Sequence, residues 1–150
     1  MSRRIALSTV AGVVVLAGAG AFALAYAGDQ APALAHSTAR HAAAEGGRDG
    51  SFVFSTEVTA SSGVKSLKVL AWPEKSELAA KQPTAEEMTQ AESARCEPAG
   101  ADTARCVYTV AVTAAEAASS PRGTWHVAVL ATAEDGTTTL DTEAADFTVG

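Results

Sequence analysis

Residues 123–149 constrain the fold most, because they carry the pattern of two strands joined by a tight turn. Apolar side chains alternate from Trp125 to Ala131, so they share one face of a strand and can cover a core. Phe147 and Val149 repeat this spacing in the second arm, and Asp135-Gly136 tolerates the positive φ angles of a hairpin turn. The sequence therefore predicts an antiparallel β-domain.

Three upstream segments, residues 52–58, 64–72 and 106–113, also alternate apolar and polar side chains. The second is apolar on both faces at Leu70 and Trp72, which predicts that a helix or long loop covers it. Trp72 and Trp125 are interpreted as core or sheet-covering residues. Several short strands separated by turns favour an all-β sandwich.

One short helix is predicted between the strands. Thr84 and Glu87 have the spacing of a capping box, and helical periodicity continues to about Ala94. The apolar stripe is thin, so Met88 is expected to seat the helix on the sheet.

The N-terminus has the pattern of a secretory signal peptide, residues 1–27. Arg3 and Arg4 precede an uncharged run over 5–27 that ends in Ala25-Tyr26-Ala27. The alternative is an uncleaved membrane anchor, because the run is long enough to span a bilayer. Cleavage would release a protein without a membrane segment, either secreted or associated with the cell envelope.

Residues 28–50 are rich in Ala, Gly and small polar residues, which predicts a flexible leader before a folded domain over 51–150. His36 and His41 lie in this leader. Their spacing does not bring them together on a helix, so no metal site is expected there.

Charge argues against nucleic acid as a partner. The chain has 17 acidic and 11 basic side chains, and removal of Arg3 and Arg4 with the signal would leave 17 and 9, a net charge of −8. Such a domain repels phosphate backbones. The partner expected from the sequence is an unidentified protein of the extracellular space or envelope.

Cys96 and Cys106 are predicted to form one disulfide, since an exported chain meets an oxidising environment. Closing so short a loop would contribute about 2–3 kcal/mol to stability. A redox or metal-binding pair is the alternative, although neither C-x-x-C spacing nor a histidine cluster accompanies these residues.

No catalytic motif and no cofactor site is predicted, so the protein is expected not to be an enzyme. The sequence contains no G-x-S-x-G elbow. His126 is the only histidine in 51–150, and its position on the strand predicts a half-exposed side chain without a catalytic partner.

A calcium site is the one metal hypothesis that the sequence raises. Carboxylates on the turn and the returning arm could supply oxygen ligands at one end of the sandwich. They are Glu134, Asp135, Asp141, Glu143 and Asp146.

The turn Ser62-Gly63 before the strand to Val69, and the Trp125 strand that ends at Glu134-Asp135-Gly136, resemble features of bacterial immunoglobulin-like domains. The whole chain is similar to a family of small exported actinobacterial proteins known as a domain of unknown function. The resemblance implies an immunoglobulin-like sandwich over 51–149. Cys96 and Cys106 are too close in sequence to bridge two facing sheets, so their disulfide departs from the antibody pattern.

These observations favour a secreted, non-enzymatic interaction module. The first alternative is a small protease inhibitor, whose loop from Arg95 to Arg105 would be pre-organised by the disulfide. A secreted hydrolase is the third class. The sequence does not indicate an oligomeric state.

Overall fold

The computed structural model describes residues 15–16 and 31–150, which form two packed antiparallel sheets and three one-turn or two-turn helices. The strands are β1 Val15–Leu16, β2 Ala33–Ala42, β3 Gly50–Thr59, β4 Val64–Pro73, β5 Glu92–Ser93, β6 Arg95–Pro98, β7 Thr103–Val112, β8 Gly123–Ala133 and β9 Thr138–Val149. The helices are α1 Glu77–Ala80, α2 Ala85–Met88 and α3 Ala114–Ser119. The predicted all-β sandwich is confirmed.

The first sheet has the order β1-β2-β3-β7-β6, and the second has the order β5-β4-β8-β9. All neighbouring strands are antiparallel. The chain crosses between the sheets after β3, between β5 and β6, and after β7. This alternation means that neither sheet could form from a contiguous piece of sequence.

The core lies between the sheets and is filled by alternate residues of the long strands. Phe52, Phe54 and Phe147 are almost completely buried there, and the Phe52 and Phe147 rings lie 4.7 Å apart. Trp125 joins them at 5.9 Å from Phe147, while its indole N–H donates to the Pro121 carbonyl. The core role predicted for Trp125 is therefore confirmed.

A second apolar cluster covers the outer face of the second sheet. It contains Trp72, Met88, Ala128 and Leu130, with Leu78 of α1 packed against it. The segment between β4 and β5 therefore shields the face that the sequence marks as apolar. The prediction that Met88 seats this segment on the sheet is confirmed.

The helical predictions are correct in kind but wrong in extent. The Thr84–Glu87 capping box is present, yet α2 ends at Met88 and the chain returns to the sheet at β5. One helix was predicted where the described residues hold three, because the linker after β7 also forms α3 with a Thr113–Glu116 capping box. Helices this short do not repeat the 3.6-residue spacing of apolar side chains, so the sequence pattern does not reveal their length.

The flexible leader predicted over 28–50 is wrong from Ala33 onward. Residues 33–42 form β2, which pairs with β3 along most of its length. Ala39 and His41 are buried in it. The segment lacks the branched apolar residues of a typical strand, so the tertiary pairing overrides a weak local propensity.

The predicted signal peptide lies outside the described residues except for β1, whose backbone pairs with Thr38 and Ala39. No helix within the described part of the chain is long and apolar enough to cross a membrane.

Contacts between β2 and β9 close one side of the sandwich. The Thr139 hydroxyl donates to the Pro32 carbonyl at 2.5 Å, and the His41 Nδ1–H donates to the Thr148 carbonyl at 3.1 Å. The short strands β5 and β6 lie at the opposite side of the sandwich.

Candidate functional site

A groove runs along β7 where β6 stops. Strand β6 pairs with β7 only from Ala104 to Val107, whereas β7 continues to Val112. The groove has a volume of about 900 Å³ and is lined by residues 107–111 together with Glu92, Ser93 and Arg95. Within residues 31–150 no strand pairs with this part of β7 on the side away from β3.

Two turn hydrogen bonds fix the direction of the β7 backbone groups. The Ala60 N–H donates to the Asp102 carbonyl on the β3 side, and the Ala99 N–H donates to the Thr103 carbonyl on the β6 side, both at 2.8 Å. Backbone groups alternate along an antiparallel strand. The backbone N–H and C=O groups of the odd-numbered residues of β7 therefore point toward β6. Those of Thr109 and Ala111 point into the groove.

The disulfide agrees with this assignment. Cys96 and Cys106 are directly opposite each other, and their Cα atoms are 4.0 Å apart. Such a short distance is typical of an antiparallel pair that exchanges no backbone hydrogen bonds. Cys106 is an even-numbered residue, so its backbone groups point to β3, as the turn bonds require.

Among the described residues, the rim of the groove carries one acidic and one basic side chain. Glu92 on β5 accepts a hydrogen bond from the Tyr108 hydroxyl, which ties the second sheet to the first. Arg95 begins β6 and is exposed. Ser93, Thr109 and Ala111 supply only small side chains, so another backbone can approach β7 closely.

The Cys96–Cys106 disulfide is confirmed, and it joins neighbouring strands within one sheet. The two arginines of the inhibitor hypothesis lie in its arms. Arg95 pairs with Val107, and Arg105 pairs with both Glu97 and Glu57. Only residues 99–102 form the connecting loop, so neither arginine is presented on it.

His126 is more buried than the sequence predicts, with 8% of its surface exposed. Its Nδ1 lies 2.5 Å from Asp146 Oδ1, and its Nε2 lies 3.5 Å from Glu74 Oε1. The Trp72 ring lies 4.6 Å from the imidazole. Register explains the cluster, because Trp72, His126 and Asp146 occupy facing positions on β4, β8 and β9.

This cluster joins strands but does not form a metal site. The two imidazole nitrogens point in different directions, so Asp146 and Glu74 contact opposite sides of the ring. No group of three or more His, Cys, Asp or Glu side chains in the described part of the chain is placed to hold a metal ion.

The acidic residues of the calcium hypothesis do not come together. The Asp135 carboxylate accepts hydrogen bonds from the Thr137 hydroxyl at 2.6 Å and from the Thr137 backbone N–H at 2.9 Å. These bonds lower the Asp135 pKa. Asp141 accepts from the Glu143 N–H. Asp146 lies opposite His126 and Asp141 lies opposite Val129, so the two positions are three residues of β8, about 10 Å, apart.

Two further histidines belong to the fold. His36 has a positive φ of 54° at an irregularity in β2, and its Nδ1 lies 2.9 Å from Glu57 Oε2. His41 is 3% exposed and contacts Phe147. Burial lowers the His41 pKa, while the hydrogen bond to Thr148 opposes this shift. Neither role is predicted from the sequence, because both residues lie in the segment expected to be a flexible leader.

A second cavity, of about 510 Å³, lies under the cover of the second sheet. Its apolar residues are Leu70, Leu78 and Pro83, and its polar residues are Ser76, Glu77 and Glu87. The Thr84 N–H donates to Glu87 and lowers the pKa of that carboxyl, which keeps it ionised at the helix N-terminus. This cavity therefore combines an apolar wall with an anionic rim.

These features define an antiparallel β-sandwich in which, among the described residues, an open stretch of sheet edge lies beside a cross-strand disulfide. A family model matches residues 34–131, and it describes a family of unknown function, DUF5707. The chain belongs to this family. No curated protein and no solved structure matches the chain significantly. The match begins inside β2, in agreement with the finding that this segment is part of the domain.

Proposed function

We propose that the protein is a secreted, non-enzymatic interaction module that binds another protein in the extracellular space or at the cell envelope. The groove along β7 carries this proposal. It combines backbone groups of Thr109 and Ala111 that point outward with an exposed Arg95 and small neighbouring side chains. Such a surface is suited to contacting a polypeptide chain.

The strand order supports an immunoglobulin-like assignment. Immunoglobulin domains place strands A, B, E and D in one sheet, and C, F and G in the other, with C′ added beside C in variable types. When the strands from β2 to β9 take the letters A, B, C, C′, D, E, F and G, the orders A-B-E-D and C′-C-F-G result. Domains of this architecture commonly serve as cell-surface modules.

The signal-peptide pattern and the disulfide support the extracellular compartment. Cleavage after Ala27 would leave the first residues of β2 intact, since that strand begins at Ala33. The β1 pairing would be lost with the signal. The disulfide holds β6 beside the groove, and it would persist only in an oxidising compartment.

A photo-crosslinking amino acid at position 93 tests the proposal. The variant would be expressed in the native producer, irradiated, and recovered from medium and envelope fractions. We expect a discrete adduct with another protein. A matched variant at Thr148, which is exposed on the opposite side of the sandwich, should give none. Absence of an adduct at Ser93 and at positions 78 and 87 around the second cavity would contradict the proposal.

The two alternatives have separate tests. A protease inhibitor would lose trypsin inhibition when Arg95 or Arg105 is replaced by alanine. Both arginines lie in hydrogen-bonded strands, whereas an inhibitory arginine must enter an active site in an accessible loop. We therefore expect no inhibition by the wild type. A hydrolase would turn over a member of an ester, peptide or glycan library.

A further inference from the structure

We propose that the groove binds an extended peptide segment, which adds to the first sheet as an antiparallel strand beside residues 108–112. This inference rests on the proposed function and names the class of partner. The incoming strand would continue the line of β6 beyond Arg95. Residues 92–93, shortly before Arg95, belong to β5 of the other sheet, so they do not pair with β7, and the incoming strand would take that place beside β7.

Backbone chemistry identifies an extended peptide as the partner. Thr109 and Ala111 each direct one N–H donor and one C=O acceptor into the groove, two residues apart along the strand. In an antiparallel ladder, each such residue exchanges both bonds with one residue of the neighbour. An added strand would therefore make four main-chain hydrogen bonds. A helix has its backbone groups paired internally and could not make them.

Other edges of the two sheets are at least partly covered among the described residues. Contacts between β2 and β9 close one side of the sandwich. On the other side, β5 pairs with Lys68 and Val69 of β4, and the Ala94 N–H bonds to the Leu67 carbonyl. Natural sheets protect their edges because an open edge pairs with other chains. Among the described residues, no strand pairs with the outward backbone groups of Thr109 and Ala111.

Charge favours an acidic residue in the bound segment. Arg95 pairs with Val107 at the end of the groove where β6 begins, so its side chain lies on the same face of the sheet as Thr109. A carboxylate on the first outward residue of the added strand would meet the guanidinium. Arg–carboxylate pairs add both energy and orientation, which would fix the register of the strand.

A library of random dodecapeptides displayed on phage tests this inference against the mature protein. We expect enrichment of sequences that alternate β-branched and polar residues and contain an acid. Synthetic copies of the selected peptides should bind the wild type. Peptide binding should also slow amide hydrogen exchange at Thr109 and Ala111, which should exchange rapidly in the free protein.

Thr109→Pro removes one outward donor and should weaken peptide binding at least tenfold. The fold should survive, because this amide does not pair with β3, and proline is tolerated where an edge amide faces outward. Thr109→Val, which keeps the amide, should bind like the wild type. Arg95→Ala should weaken acidic peptides several-fold, whereas Arg105→Ala, outside the groove, should not.

Two results would overturn the inference. One is failure to enrich any peptide over a protein-free control. The other is peptide binding that leaves Thr109 and Ala111 exchange unchanged, a measurement that does not depend on the proline variant folding. If position 93 still cross-links to a protein partner, the proposed function stands and only the strand-addition inference fails. If no peptide binds and no protein cross-links to position 93, both proposals are wrong.

Discussion

His126 and Asp146 face each other on β8 and β9, with Nδ1 and Oδ1 2.5 Å apart. The contact joins the neighbouring strands β8 and β9, and Glu74 approaches the other side of the imidazole. The cluster holds the end of β4, the middle strand β8 and the last strand together. It is therefore a structural element of the second sheet.

Replacement of Asp146 by alanine should lower the free energy of unfolding by about 1–2 kcal/mol, because a nearly buried imidazole loses its carboxylate partner. Urea unfolding monitored by tryptophan fluorescence measures the change. Thr148→Ala is the matched control on the same strand and should stay within about 0.5 kcal/mol of the wild type. Equal effects of both substitutions would show that the His126 contact does not stabilise the sheet.

Acidification should weaken the attachment of β2 through His41. Because burial lowers the His41 pKa in the folded protein, the unfolded chain takes up the proton first as the pH falls. The contribution of neutral His41 is complete above about pH 6.5, the ordinary histidine pKa, and is lost as the pH falls through the folded-state pKa.

Urea unfolding at pH 7.5 and pH 5 checks this prediction. The wild type should lose more stability over this interval than His41→Leu, in which no ring titrates. His36→Gln replaces another histidine of β2, keeps the His41 ring and serves as the control. If His41→Leu and the wild type share one pH dependence, the buried imidazole is not responsible for it.

Removal of the disulfide should lower stability by about 2–3 kcal/mol, since the bridge closes a loop between residues ten apart in sequence. The double variant Cys96→Ala/Cys106→Ala and the wild type under reducing conditions should give similar unfolding midpoints. A reductant should leave the double variant unchanged. A wild type that is equally stable when reduced would contradict the prediction.

Met88→Ala should cost about 2–5 kcal/mol, the range for large-to-small substitutions at fully buried sites. Its side chain packs with Trp72 and Leu130, so its loss should loosen the segment that covers the second sheet. Trypsin should then cleave faster after Lys75 or Lys81. Met88→Leu conserves volume and should cost less than about 1.5 kcal/mol. Unchanged cleavage in Met88→Ala would show that other contacts hold the segment.

The sequence was informative wherever a long strand had one buried face. The alternation from Trp125 to Ala131, the Asp135-Gly136 turn and the apolar outer face at Trp72 all predicted what the structure contains. In these segments the burial pattern repeats often enough to identify the element. The capping box at Thr84 worked for a related reason, since two side chains satisfy backbone groups within one turn.

The sequence failed where a partner strand supplies the order. Strand β2 has small residues and little β-propensity, and it forms because β3 offers backbone partners along most of its length. Strands β5 and β6 are too short to show a period, and the helix predicted to about Ala94 extended over β5. The open groove was missed for the same reason, because it exists only where β6 ends before β7 does.

The sequence by itself determined the fold class, the disulfide pair and the core positions of the long strands, because these depend on local alternation and on two cysteines alone. Only the tertiary structure decided which strands are neighbours, and therefore which edge of β7 lies open and which side chains meet His126. These relationships depend on residues far apart in the chain, and no local pattern records a register between distant strands.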